Sequence, residues 1–216
     1  MLALRLGESL SLPVAAGVPV LAPIFFEGTE VGEDLYWGSL AVRESPPPAD
    51  CGLLVAKNID VATGIVVFDA WICNIDRHEL NLIFDVVNGE IVLFDHGEAI
   101  CNSVGPEFLL NHRDNLGLGD SHAVAYELPH LNQLDKWLNR VAQIDTGEIV
   151  SVVRSTTEKF LTVEEQLQLA HELDRRRRTL PQLFQKHATN REIFPCLEHD
   201  LLPIADTRNV TDNYQI

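Results

Sequence analysis

The sequence predicts an α+β fold that is mostly helical, and three observations support this prediction. Apolar segments punctuated by Gly and Pro occupy residues 14–26, as in short strands. The dipeptide Asn88-Gly89 separates two apolar runs, which is the strongest short-range signal for a β-hairpin. Apolar side chains recur at helical spacing in residues 131–141 and 162–178, which indicates a helical second half of the chain.

The first elements are predicted from apolar runs and from the residues that interrupt them. Residues 2–12 form a short helical stretch that ends at Pro13, and residues 27–34 form an acidic loop. Residues 35–42 have the composition of a short strand or a turn. Residues 45–48 contain three consecutive prolines and mark a loop, because proline cannot continue a helix or a strand ladder.

The middle of the chain combines a buried helix with the hairpin. Residues 59–73 are apolar enough for a buried helix, although their β-branched side chains weaken helix propensity. The apolar runs at 80–87 and 90–95 form the two strands. A two-residue Asn-Gly turn pairs Val87 with Glu90, so that paired residue numbers sum to 177.

The remaining segments are a loop, helices and a tail. Residues 111–122 are a polar, glycine-containing loop. A capping box at 162–165 opens a helix, and Pro181 marks its end or a restart. The basic run 175–178 is interpreted as last-turn residues that offset the helix dipole. Residues 195–216 are polar and are expected to form a loosely held tail.

Composition and charge limit the class of protein. Hydrophobic residues make up 46% of the chain and charged residues 22%, enough to build a core. Sixteen basic against 32 acidic residues give a net charge of −16, which argues against direct nucleic-acid binding and against an anionic membrane. The spacing of the four cysteines does not favour a zinc knuckle. Without a recognisable signal, we expect a cytoplasmic protein with free thiols.

The chemically informative segment comprises residues 68–97. In the 177 register Leu82 faces Asp95, so Asn81 and Asp95 lie at the same end of the hairpin, and Asp76 lies in the loop leading to that end. Carboxylate and amide oxygens suit Mg²⁺ bound together with a nucleotide phosphate. In ideal pairing Asn81 and Asp95 point to opposite faces. At least one of them must therefore sit where its strand has bent or ended.

Residues 74–81 spell N-x-D-R-H-x-x-N, and after the hairpin residues 91–97 spell I-V-L-F-D-H-G. The spacing D-x-x-x-x-N matches a kinase catalytic loop, and Asp95-His96-Gly97 stands where such kinases have D-F-G. This pattern resembles the HipA-like serine/threonine kinases and, more distantly, the phosphoinositide kinases. The setting of Trp71 and Asn74 and the L-D-R-R-R-R-x-L segment near 173–180 belong to the same resemblance, which covers roughly residues 2–185.

The resemblance implies ATP-dependent phosphorylation of a Ser or Thr hydroxyl, with ATP and Mg²⁺ as cofactors. Asp76 would be the catalytic carboxylate, and Asn81 and Asp95 would hold Mg²⁺. The implied fold is a protein-kinase-like C-lobe, mostly helical, in which the β-hairpin carries the metal site. Its organisation would be a remnant of the N-lobe and hinge in 1–45, a helical C-lobe in 46–190 and a tail in 191–216.

Four further residues are interpreted as supports of the loop. We expect Asn74 to brace the loop backbone and Arg77 to form an ion pair. His78 is expected to pack and to hold the loop by a hydrogen bond, and Asp69 to act as a structural hydrogen-bond acceptor. His96 replaces the aromatic residue of D-F-G and is not assigned as a ligand.

A kinase also needs an N-lobe lysine and a loop over the phosphates, and neither is expected here. Val55-Ala56-Lys57 imitates the lysine-bearing strand, but Lys57 precedes Asp76 by only 19 residues, which leaves no room for the intervening elements. Gly117-x-Gly119 follows the catalytic loop and is not a nucleotide lid. We therefore expect none of the lysines of this sequence to be the nucleotide-binding lysine, and we expect the N-lobe to be largely missing.

Several interpretations stay open at this point. The chain is a kinase whose sequence is truncated or mis-started, a degenerate pseudokinase acting as a protein-interaction module, or one half of a split kinase completed by another polypeptide. A protein substrate or partner is expected in each case. A lipid or small-molecule kinase is a further alternative through the D-R-H order, although neither a basic membrane patch nor a lipid-facing helix supports it.

Overall fold

The computed structural model describes residues 1–26, 29–39, 50–85, 87, 89–100, 107–120 and 122–198. The fold is α+β and mostly helical, with two separate two-stranded antiparallel sheets. The described helices are α1 Leu2–Ser9, α2 Cys51–Lys57, α3 Ile59–Ile72, α4 Glu107–Asn111, α5 Ala123–Glu127, α6 Leu134–Gln143, α7 Thr146–Thr157 and α8 Val163–His187. The described strands are β1 Gly17–Phe26, β2 Thr29–Ser39, β3 Leu82–Asp85 and β4 Glu90–Leu93.

Helix α3 is the centre of the core, as its composition predicts. Every residue from Ala62 to Ile72 is buried, because a helix that is apolar on all sides must be surrounded by protein. It packs against α2, α5, α6 and α8. Asn58 caps its start by accepting a hydrogen bond from the Val61 amide, and Cys73 ends it in the left-handed conformation with φ 52°.

Helix α8 begins with the predicted capping box but does not stop at Pro181. It continues to His187, six residues beyond the proline, so the predicted end or restart is wrong. Proline removes one helical hydrogen bond and costs about 3 kcal/mol in a helix interior. Leu183 and Phe184 are buried on the far side of the proline, and their packing offsets that loss.

The basic run 175–178 lies inside α8 and not in its last turn, so its interpretation as a dipole-compensating end is wrong. Arg176 is fully buried and donates four hydrogen bonds to backbone carbonyls. Arg177 and Arg178 pair with Asp174, one or more turns away from any helix end. The carbonyl acceptors of Arg176 belong to Ala70, His112, Asn115 and Leu116.

The front of the chain forms a longer ribbon than expected. Strands β1 and β2 pair from Gly17 with Ser39 to Phe26 with Thr29, and the register shifts between Ile24 and Phe25. The predicted acidic loop over 27–34 is therefore wrong from residue 29 onward, because regular pairing overrides the weak strand propensity of acidic side chains. The proline loop at 45–48 and the predicted boundary at residue 45 lie outside the described residues.

The far end is also more ordered than a loosely held tail. Phe194 is fully buried, Leu197 is buried, and the Glu198 amide donates to the Pro129 carbonyl. Two apolar anchors in a polar segment are enough to hold it against the helices, so the expected tail is wrong for 191–198. Residues 199–216 lie outside the described part of the chain.

The central hairpin exists, but its register differs from the expected one. Leu82 lies opposite Leu93, so paired numbers sum to 175 and not 177. A shift of two residues leaves every side chain on the same face of the sheet, so the apolar pattern cannot distinguish the two registers. Asn81 is consequently opposite Phe94, whose amide donates to the Asn81 carbonyl at 3.1 Å, and not opposite His96.

Within the described residues, no single helix is long and apolar enough to cross a membrane. Helices α2 and α3 together have the length and apolar composition of a membrane-spanning segment, but the two are bent by 118° relative to each other.

Close packing of α3 on α6 yields a stability prediction. A Cβ placed on Gly64 would lie 2.5 Å from the Trp137 ring, so we expect Gly64→Ala to lower the free energy of unfolding by about 1–3 kcal/mol. This loss opposes the roughly 1 kcal/mol by which alanine is the better helix former. Urea denaturation measures the difference.

The matched control is Gly52→Ala in α2, where the nearest atom to the new methyl is the flexible Asp50 carboxylate at 3.3 Å. We expect that variant to be as stable as the parent or more stable. Equal stability of Gly64→Ala and Gly52→Ala would contradict the packing argument.

Candidate functional site

The candidate site lies where α3, the loop 74–81 and the open end of the central hairpin meet. The loop begins directly after the left-handed Cys73 and ends in a 3₁₀ turn, Glu79–Asn81, that leads into β3. Among the predicted residues, Asp76 and Asn81 lie in this loop, and Asp95 follows the end of β4. Short connections thus bring three residues with oxygen-bearing side chains to one end of the hairpin.

A buried ion pair holds the loop against α3. The Asp69 and Arg77 side chains are both fully buried, and the Arg77 Nε donates to Asp69 Oδ2 at 2.8 Å. The Arg77 guanidinium also donates to Asp69 Oδ1 at 3.1 Å, and the Asn74 amide donates to the same oxygen at 3.0 Å. Burial alone would raise the pKa of Asp69, but the charge of Arg77 and the hydrogen bonds from Arg77 and His122 hold it well below its ordinary value.

The other edge of Arg77 joins the two strand ends. Its second terminal nitrogen donates to the Asn81 carbonyl at 2.8 Å and to the Phe94 carbonyl at 3.0 Å. These two residues are paired across the hairpin, and Asp95 follows Phe94. One side chain therefore fixes the loop, the start of β3 and the end of β4 together.

His122 is a supporting residue that sequence reasoning missed. Its Nδ1 accepts a hydrogen bond from the Ala125 amide as the N-cap of α5, so the ring proton lies on Nε2. That nitrogen lies 3.1 Å from Asp69 Oδ2. The Ala123 amide donates to the Arg77 carbonyl at 2.8 Å. No local signal marks His122, because histidine is not among the common N-cap residues.

Asp76 and Asn81 are in direct contact. The Asn81 amide nitrogen donates to the Asp76 carbonyl at 2.7 Å and lies 3.5 Å from Asp76 Oδ2. This bond occupies the amide nitrogen of the side chain, and the Asn81 Oδ1 atom accepts no hydrogen bond within the described residues. The Asp76 side chain is half exposed. An acceptor oxygen and an accessible carboxylate thus lie side by side.

Asp95 sits where the strand has ended, as the alternation of side chains requires. Strand β4 stops at Leu93, and Asp95 itself adopts the left-handed φ of 48°. The Asp95 carboxylate accepts a hydrogen bond from the Gly97 amide at 3.3 Å and makes none to Asp76 or Asn81. The chain therefore leaves the sheet at Asp95. Its side chain no longer has to follow the alternation of the strand, which would have placed it on the face opposite to Asn81.

Asn74 and His78 support the loop in the ways their positions suggest. The Asn74 Oδ1 lies 3.4 Å from the Asp76 amide nitrogen, so Asn74 links the Asp69 carboxylate to the Asp76 backbone. His78 Nδ1 accepts from the Leu80 amide at 3.1 Å. His78 Nε2 faces Asp76 Oδ2 at 3.7 Å, which is longer than a hydrogen bond.

His96 packs inward and not toward the candidate metal ligands. Its ring meets Phe68 edge-on with 5.9 Å between centroids. Burial, followed by the charge of Arg77, lowers the pKa of His96 to about 3. Its Nε2 atom is buried and has no hydrogen-bond partner in the part of the chain that the structure describes. The imidazole thus behaves as a flat apolar group that carries one unsatisfied nitrogen.

The donor types fit Mg²⁺. Asn81 Oδ1 and the Asp95 and Asp76 carboxylates are hard oxygen donors on one end of the hairpin, and Mg²⁺ is typically held by one or two carboxylates together with phosphate oxygens and water. No group of three or more His, Cys, Asp and Glu side chains that could hold a metal ion occurs in the described residues. The expected ligands, the Asn81 amide and the Asp95 carboxylate, are not a group of that kind.

A second segment supports the loop from outside. A Cβ on Gly119 would lie 2.0 Å from the Ile75 carbonyl oxygen, so only glycine permits this approach to the residue that precedes Asp76. Gly117 has φ 61°, and a Cβ there would lie 2.6 Å from the Cys73 sulfur. Gly117-x-Gly119 is thus a packing surface for the loop.

No protein-family model, curated protein or solved structure matches this chain.

The Asp69–Arg77 pair gives a prediction for acid stability. Asp69→Asn leaves a buried guanidinium without its counter-charge, so we expect the free energy of unfolding at neutral pH to fall by about 3–5 kcal/mol. Because the pKa of Asp69 is depressed in the folded state, its contribution is present above the ordinary aspartate value of ~3.9 and is lost as the pH falls below it. The variant should therefore show a shallower loss of stability below that pH. Urea unfolding across a pH series measures both effects.

The control is Asp135→Asn, an exposed aspartate in the first turn of α6, which should change stability by less than about 0.5 kcal/mol. Equal losses in the two variants would show that the ion pair does not stabilise the fold.

The orphaned nitrogen of His96 gives a prediction of opposite sign. His96→Phe keeps a flat ring against Phe68 and removes a buried polar atom that lacks a partner. Because an unsatisfied buried polar group costs about 1–3 kcal/mol, we expect a higher melting temperature by calorimetry. His96→Ala, which removes the ring packing as well, should lower it, and a lower melting temperature in the phenylalanine variant would refute the argument.

Proposed function

We propose that the chain is a HipA-like, ATP-dependent phosphotransferase that acts on a Ser or Thr hydroxyl. The observation that carries this proposal is the joint placement of Asp76, Asn81 and Asp95 by one buried arginine. Arg77 fixes the loop of Asp76, the backbone of Asn81 and the residue before Asp95 through four acceptors. A polar surface loop does not require a fully buried guanidinium to set its geometry.

Each of the three residues has a role that follows from its surroundings. The exposed Asp76 carboxylate is accessible to an acceptor hydroxyl, which it would orient and whose proton it would accept. Asn81 Oδ1 and the Asp95 carboxylate would hold Mg²⁺. When bound, Mg²⁺ neutralises the charge of the phosphate oxygens. Since Asn81 is itself held by the Asp76 carbonyl, the two ends of the reaction would be kept at a fixed separation.

A kinase-like C-lobe is the fold that this proposal assigns to residues 46–190. The order of elements in this range supports it: two helices, the D-R-H loop, a short hairpin, the D-H-G turn and five further described helices follow one another along the chain. Lys57 lies in helix α2 and not in a strand, so Val55-Ala56-Lys57 is not the lysine-bearing strand. In this proposal the phosphate-binding lysine comes from elsewhere.

The second candidate function is an interaction module, either a pseudokinase or one half of a split kinase. The ribbon β1–β2 favours it, since within the described residues each of its two strands pairs with one other strand only. A two-stranded ribbon is marginal in water without further packing, and another polypeptide would supply both the packing and the lysine. In that case the purified chain binds nucleotide weakly or not at all.

Nucleotide binding and transfer test the proposal. We expect the chain to bind ATP in the presence of Mg²⁺ by calorimetric titration, and Asp95→Ala to lose that binding because a metal ligand is removed. Asp76→Ala should retain binding but lose phosphate transfer to a Ser or Thr protein by at least about 10²-fold, the usual contribution of a general base.

Asp135→Ala, which changes an exposed carboxylate in α6, serves as the control for charge and should match the parent in both assays. Nucleotide binding that is unaffected by Asp95→Ala, or transfer that survives Asp76→Ala, would contradict the assigned roles. Absence of binding in the parent chain would favour the interaction module.

A further inference from the structure

A cavity of about 450 Å³ opens beside the Asp76 loop, between the start of α2, the loop and α5. It is not part of the site described above. Its lining is acidic and includes one aromatic side chain and one thiol. The side chains that characterise it are Asp50, Cys51, Glu79, Asp120, Tyr126 and Glu127.

The walls of this acidic cavity are tied to the loop that carries Asp76. Glu79 belongs to the same loop. Asp120 follows Gly119, which abuts the Ile75 carbonyl. The start of α5 is held by the Ala123 amide, which donates to the Arg77 carbonyl. The walls of the cavity are therefore fixed to the same loop as Asp76.

The carboxylates around the cavity have no basic partner among the described residues. Within the described residues, none of the four lining carboxylates forms an ion pair with a basic side chain, whereas Glu172 and Asp174 on α8 each pair with two arginines. The buried Arg77, whose charge acts on the Cys51 thiol, is paired with Asp69.

The pKa of the Cys51 thiol is affected by the same negative charges. Burial raises its pKa to about 11, and the charges of Glu79, Glu127 and Asp50 act in the same direction. The cavity thus combines concave shape with a net negative potential, and low-dielectric walls strengthen the attraction for a cation.

Exposed apolar side chains accompany the charge. Tyr126 lines the cavity and is 49% exposed. Leu80, the neighbour of Glu79 in the chain, is 58% exposed, and Leu53, which follows Gly52, is 44% exposed. Large exposed apolar groups near a concave surface are typical of protein contacts. An inorganic cation makes no favourable contact with apolar side chains, whereas the side chains of a bound peptide pack against them.

We propose that this acidic cavity binds an arginine side chain of a protein segment, and that the segment thereby presents its hydroxyl to Asp76. Carboxylates accept the planar guanidinium in a two-pronged geometry, and an aromatic ring stacks on it, so the lining suits arginine better than lysine. The presentation to Asp76 rests on the proposed function, whereas the binding of the basic segment does not.

Binding is tested without any phosphate transfer. The probe is a short, fluorescently labelled peptide with two arginines before a serine, and the comparison peptide has glutamines in place of the arginines. We expect the arginine peptide to bind with a Kd at least about tenfold lower, since hydrogen bonds between a guanidinium and carboxylates are stronger than those of a neutral amide. Anisotropy titrations at two salt concentrations should show weaker binding at the higher one.

The double variant Glu79→Gln, Glu127→Gln removes two exposed carboxylates of the lining and should raise the Kd of the arginine peptide about tenfold or more. Glu164→Gln, an equally exposed carboxylate in the first turn of α8, should leave the Kd within twofold, which separates the cavity from the general attraction of a chain with net charge −16. Thermal unfolding of each variant shows that it is folded.

Asp76→Ala should also bind the peptide as the parent does. Peptide binding with no phosphate transfer would count against the proposed function and leave this inference standing. Equal affinity for the two peptides, or an equal effect of the cavity and α8 variants, would overturn it. So would a cavity that binds Mg²⁺ or Ca²⁺ through Glu79 and Glu127 but discriminates no peptide.

Discussion

The Asp69–Arg77 ion pair is the interaction on which the candidate site depends. Removing two charges from water costs several kcal/mol per ion. The attraction within a buried pair offsets this cost only when the remaining hydrogen-bonding groups of both side chains have partners. Here Arg77 donates to both Asp69 oxygens and to the Asn81 and Phe94 carbonyls. The pair therefore contributes geometry more than net stability: an apolar pair of equal volume would fill the core but would leave the loop and the hairpin end unconnected.

A second buried arginine plays a parallel part without any carboxylate. The four acceptors of Arg176 are backbone carbonyls, one of which lies near the end of α3. The C-terminal carbonyls of a helix carry partial negative charge, so they compensate the guanidinium where no acidic side chain is present. Through Arg176, the long helix α8 is thereby connected to the end of α3, from which the loop starts. The same side chain binds the Asn115 and Leu116 carbonyls, directly before the Gly117-Gly119 surface.

Local signals in the sequence predict much of this fold, and long-range contacts account for most of what they miss. The apolar run 59–73, the Asn-Gly dipeptide and the capping box at 162–165 each carry their own structural signal, and the buried helix, the hairpin and the capped helix that they predict are present. The hairpin register was wrong because a shift of two residues preserves the apolar pattern. The supporting role of His122 and the four carbonyl bonds of Arg176 have no local signature, since their partners lie 53 and up to 106 residues away. The motif placed Asp76, Asn81 and Asp95 correctly at one end of the hairpin, while their chemical roles remain a proposal.

The span of these contacts has a consequence for how the chain folds during synthesis. The hairpin and its turn involve neighbours in sequence and can form as soon as they leave the ribosome, because local pairing closes quickly. Helix α3, by contrast, is fastened by Trp71, which donates to the Leu173 carbonyl 102 residues later, and by Arg176. The cover that α8 provides for the buried helix α3 is therefore missing until α8 is translated. Until then part of the apolar surface of α3 is exposed, the kind of surface that chaperones bind and that aggregates when they are scarce.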